Sequence, residues 1–121
     1  KMVTSLAMDD SHLWVGTAEG NLHAYDFRAE PLVEQPHPYM KWWLNSPILS
    51  LSLCPRIGHG VVTTADSQVH IFSSESYEYD ANPVASWTPD LDGLHEVDPQ
   101  ILSAALIPLK DRKYAVACGT S

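Results

Sequence analysis

The most telling stretch is Leu13-Trp14-Val15-Gly16-Thr17-Ala18-Glu19-Gly20-Asn21-Leu22-His23-Ala24-Tyr25-Asp26. Two apolar runs, rich in β-branched and aromatic residues, flank the polar Glu19-Gly20-Asn21. That is the pattern of an antiparallel hairpin, because Gly accepts positive φ and Asn bonds its own backbone. A second copy reads Gly60-Val61-Val62-Thr63-Thr64-Ala65-Asp66-Ser67-Gln68-Val69-His70-Ile71-Phe72. Thr17 to His23 spans 6 residues, and Thr64 to His70 also spans 6. Equal spacing across a turn is what a shared hairpin requires.

Each copy is preceded by an apolar run with a Ser in one place. Val3-Thr4-Ser5-Leu6-Ala7-Met8 precedes the first, and Ile48-Leu49-Ser50-Leu51-Ser52-Leu53 the second. A third run, Ile101-Leu102-Ser103-Ala104-Ala105-Leu106, is followed by Tyr114-Ala115-Val116-Ala117-Cys118-Gly119-Thr120. Ser5 to Ser50 is 45 residues and Ser50 to Ser103 is 53. Asp9-Asp10-Ser11 reads as a further turn. No window carries an i, i+3, i+4, i+7 stripe long enough for a helix. A fourth strand per unit is expected at Pro31-Leu32-Val33-Glu34 and at Pro83-Val84-Ala85-Ser86-Trp87, whose prolines and charges suit an exposed edge.

Each unit therefore reads as four antiparallel strands in about 45–53 residues, as in a β-propeller blade, whose common period is roughly 40–45. On the two hairpin phrases quoted above, the chain resembles an atypical WD-repeat-like β-propeller. The kind it resembles stands at the C-terminal ends of large signalling proteins such as Roco kinases, JNK-pathway scaffolds and Rho exchange factors. The expected fold is all-β, with about two and a half four-stranded antiparallel blades. Residues 1–45 form blade one, 46–97 blade two and 98–121 the first half of blade three. The family's Trp-Asp pair stands here as Tyr25-Asp26 and Phe72-Ser73, and its Gly-His pair is absent before Val3, Ile48 and Ile101. The family's buried Asp–His–Ser–Trp network is accordingly not expected. The family's histidine role is not carried onto His23 or His70, which fall in the third strand. Propellers close with roughly 4–8 blades. The remaining blades are expected from the same polypeptide or from a second copy. A self-contained β-sandwich with coincidental repeats is the competing architecture.

Composition narrows the function. The 121 residues carry 15 acids, 7 Lys and Arg, and a formal net charge of −8. Clustered bases drive phosphate binding, so nucleic acid is not an expected partner, nor is an anionic membrane surface. No apolar run approaches the length of a membrane span. Two cysteines do not make a disulfide scaffold, and no sequon or signal-peptide plan is seen, so a reducing cytoplasmic compartment is expected.

No catalytic set is expected. Asp9-Asp10-Ser11-His12 holds every residue type of a nucleophilic triad, but a triad needs groups facing one another, usually from separate loops. The histidines at 12, 23, 37, 59, 70 and 95 lack metal-ligand spacing. Cys54 and Cys118 lie on strands, where a free Cys behaves as a small hydrophobe. Arg56 near Cys54 leaves a minor redox reading. A Gly-rich nucleotide loop is absent, and no cofactor is expected.

Two stretches read as partner-binding. Tyr39, Met40, Lys41, Trp42 and Trp43 concentrate aromatics in an apparent connector between blades, and such residues are enriched at interface hot spots. Inter-blade packing of Trp42 and Trp43 is the structural alternative. Glu75, Glu78, Asp80, Asp90 and Asp92 fall in a region without Lys or Arg, fit to steer a basic partner. A solvated loop pair is the plainer reading there. Ser76, Tyr77 and Tyr79 lie among these acids as weak candidates for phosphorylation. The expected function is a non-catalytic protein–protein interaction or scaffolding module of a larger intracellular signalling protein. The alternative is an accessory propeller of a kinase or Rho exchange factor whose catalytic domain lies outside this chain.

Overall fold

The computed structural model describes residues 2–27, 41–74, 83–90 and 100–121. These residues form ten strands in three antiparallel sheets, with no α-helix among them. The first sheet runs β1 (Val3–Met8), β2 (His12–Thr17), β3 (Asn21–Asp26) and β4 (Lys41–Trp43), each strand paired with the next. The second repeats this order with β5 (Ile48–Cys54), β6 (His59–Thr64), β7 (Val69–Ser73) and β8 (Ala85–Trp87). The third consists of β9 (Ile101–Pro108) and β10 (Tyr114–Thr120), joined through a 3₁₀ turn at Lys110–Arg112.

The serine-centred runs are equivalent to the residue. Ser5 pairs with Gly16, Ser50 with Thr63 and Ser103 with Gly119. One residue is bulged before each Ser: Thr4, Leu49 and Leu102. The pairing resumes at Val3↔Thr17, Ile48↔Thr64 and Ile101↔Thr120. A bulge adds twist and re-aims side chains, so an identical bulge gives each hairpin the same curvature. One backbone bond then closes each hairpin: Ala18 N–H to Met2 O, Ala65 N–H to Pro47 O, and Ser121 N–H to Gln100 O, each 2.9 Å.

The tight turns also match. Gly20 N–H donates to Thr17 O and Ser67 N–H to Thr64 O, both 3.1 Å. Both turn residues take left-handed backbone, φ 87° at Gly20 and 64° at Ser67. Glycine enters that region without steric cost; serine does not.

The edge strands are where the structure and the sequence reading differ. The fourth strand of the first sheet is Lys41–Trp43, within the stretch read as a connector. The strand expected at Pro31–Glu34 falls outside the described residues. Lys-Trp-Trp is too short to show alternation, so only its pairing with β3 reveals it as a strand. The second edge strand lies within the expected Pro83–Trp87, shortened to Ala85–Trp87. Trp42 pairs with Leu22 and Trp87 with Val69, equivalent sites that the unequal loops hide in sequence. Both edges are three residues long, a length that limits edge-to-edge pairing.

The sheets stack in succession. Trp14, Leu22 and Ala24 of the first sheet meet Ile48, Val62 and Phe72 of the second, all fully buried. Trp14 and Phe72 lie with ring centroids 4.9 Å apart. The opposite face of the second sheet, with Val61, Val69 and Ile71, packs on Ile101, Ala104 and Leu106 of the third. β1, β5 and β9 are neighbours along one side of the stack. A two-layer sandwich leaves the outer face of each sheet uncovered; here the middle sheet is covered on both.

Candidate interaction surface

The turn before β2 collects Asp, Ser, His and Trp. Asp9 Oδ1 accepts from the backbone N–H groups of Ser11 (2.8 Å) and His12 (2.7 Å) and from Ser11 Oγ (3.2 Å). Asp9 Oδ2 accepts a long bond from Trp14 Nε1 at 3.4 Å. Burial pushes the Asp9 carboxyl up, but these donors outweigh it and hold the group below the ordinary carboxylate range. Ser11 Oγ and His12 Nδ1 lie 2.6 Å apart. In a triad the carboxylate orients the imidazole that deprotonates the hydroxyl. Here the carboxylate bonds Ser11 and backbone, and His12 is 2% exposed. The arrangement pins the turn between β1 and β2.

Asp9, Ser11, His12 and Trp14 thus meet locally, in the β1–β2 turn and the start of β2. The signal was the sequence Asp9-x-Ser11-His12-x-Trp14, legible as a local Asx turn and not as a transferred motif.

His23 and His70 occupy equivalent places, opposite Val15 and Val62, and both are buried. Ser86 Oγ lies 2.7 Å from His70 Nδ1, and His70 Nε2 has no hydrogen-bond partner. Burial lowers the His70 pKa, partly offset by Asp66. The imidazole is therefore a neutral core group at neutral pH. Among the described residues, no group of three or more His, Cys, Asp or Glu converges to hold a metal. Cys54 is buried and Cys118 exposed, both as free thiols. Partial burial of its sulfur pushes the Cys118 thiol up, away from the reactive thiolate.

Of the residues expected to bind a partner, Tyr39, Met40, Glu75, Glu78, Asp80 and Asp92 lie outside the described residues. Lys41, Trp42 and Trp43 form β4 at the open edge of the first sheet. Asp90 is exposed, three residues beyond β8. The structure adds a surface that sequence reasoning missed. Val3, Leu6 and Met8 are 52%, 60% and 68% exposed on β1. By register they match Ile48, Leu51 and Leu53, which pack into the first junction, and Ile101, Ala104 and Leu106, which pack into the second. The available signal was the serine alignment itself, since each equivalent run buries these positions.

No protein-family model matches the chain, and no curated protein matches it significantly. Among the described residues, no helix is long and apolar enough to cross a membrane.

Proposed function

We propose that this chain is part of a WD-repeat-like β-propeller acting as a non-catalytic protein-interaction module of a larger intracellular signalling protein. The observation that carries the reading is the repeated serine-centred bulge, with β1, β5 and β9 placed side by side and the sheets stacked outward from them. Stacked antiparallel sheets of this order match the blade architecture. Rigid strands then present loops and edges to partners. In this reading 1–45, 46–97 and 98–121 are successive blades.

The partner surface combines the β4 edge, including Lys41, Trp42 and Trp43, with the acidic segment containing Asp90. Aromatic anchors supply affinity, and the acidic segment steers a basic partner. The test is affinity capture with Trp42→Ala/Trp43→Ala, its strand content checked by circular dichroism. The reading predicts partner loss from a folded double variant. A folded variant that keeps every partner removes the aromatic edge from the interface.

A further inference from the structure

We propose that the two faces of the stack that no other described sheet covers bind each other between two copies of this chain, head to tail. The inference rests on the stacked-blade reading and commits it to a partner.

The first junction shows how one sheet receives the next. Ser5 and Gly16 lie opposite each other, and Ile48 fits against them: a Cβ added at Gly16 would come 2.8 Å from Ile48 Cγ2. Gly16 is thus the floor of a socket and Ile48 the knob. The third sheet repeats that floor on its outward face. Ser103 lies opposite Gly119, and a Cβ at Gly119 would meet Ser103 Oγ at 2.5 Å. Beside it Ala105 pairs with Ala117 and Ile107 with Ala115, all exposed. The first sheet carries the matching knob: Val3 occupies the place of Ile48 and Ile101, both fully buried, yet is 52% exposed. Leu6 and Met8 extend it toward the small Ala105, Ala115 and Ala117.

Charge favours the same pairing. The turns at 9–11, 55–58 and 109–113 occupy one position in successive hairpins. The last contains Lys110, Arg112 and Lys113, three of the seven Lys and Arg in the chain, against one acid, Asp111. The first contains Asp9 and Asp10. Continuing the stack from the third sheet of one copy to the first of another brings the basic turn beside the acidic one. Such a contact is heterologous, since each copy contributes a different face.

The experiment is sedimentation velocity on the 121-residue chain over a wide concentration range. The proposal predicts a concentration-dependent larger species. Val3→Lys/Leu6→Lys blocks one face and Ile107→Lys the other; each alone is predicted to be monomeric. Their mixture is predicted to form dimers and nothing larger, because one intact face of each kind remains. Lys110→Glu/Lys113→Glu is predicted to weaken association, and adding Asp10→Lys to restore it. A wild-type monomer throughout, or face variants that associate as wild type, overturns the proposal. Circular dichroism and methyl contacts across the two internal junctions are measured on the same samples. A monomer that keeps them sinks the pairing of copies alone; their loss in the wild-type chain sinks the stacked-blade reading itself.

Discussion

At the scale of single residues, the turn and socket positions carry the sharpest consequences. Gly20 combines φ 87° with a backbone neighbour: an added Cβ would meet Ser46 O at 2.6 Å. Gly20→Ala is therefore expected to cost about 1–3 kcal/mol, read from the shift in a denaturant midpoint. Ser67 takes the equivalent left-handed place without glycine's freedom. Ser67→Gly is expected to be neutral or stabilising by up to about 1 kcal/mol, since relief of strain exceeds the added unfolded-chain entropy. The opposite signs at matched positions test the turn equivalence. The turns were legible in sequence because Gly20, Asp66 and Ser67 are turn formers. The socket at Gly16 was not, because its constraint comes from Ile48, 32 positions away.

At the scale of elements, the hairpins keep their register through local locks. The β1–β2 turn depends on the Asp9 carboxylate, whose pKa is lowered on folding. A depressed carboxyl stabilises above its unfolded pKa, and that contribution is lost as pH falls through the acid carboxylate range. Asp9→Asn is expected to flatten this part of the stability–pH curve and to lower stability at neutral pH. Thermal unfolding across the acid range measures both.

His70 acts in a higher window. Its folded pKa lies below the ordinary 6.5, so the unfolded chain takes up a proton first. Stability is then lost as pH falls from about 6.5, and an imidazole titration by NMR is expected to show the lowered midpoint directly. The strands of all three hairpins were legible in their Ser-centred runs and β-rich composition. The edge strand β4 was not, because Lys41–Trp43 is strand only through its bonds to β3. The interaction residues read from composition lie largely outside the described residues. The exposed face of β1 needed the junctions to be seen, since Leu6 and Met8 look like any buried pair in sequence.

At the scale of the whole molecule, three sheets built on equivalent hairpins stack so that the middle one is covered on both faces. Trp14 sits fully buried at the first junction. Trp14→Ala is expected to cost about 3–5 kcal/mol by chemical denaturation, as for other large core truncations. The most direct test is a methyl-detected NMR experiment on the chain in solution. The account predicts contacts from the Ile48 methyls to the Gly16 Hα protons, across the first junction. It also predicts contacts from the methyls of Val61 or Ile71 to those of Leu106, across the second. An Ile48 that sees only its own sheet, or a second sheet with one face bare to solvent, would contradict it.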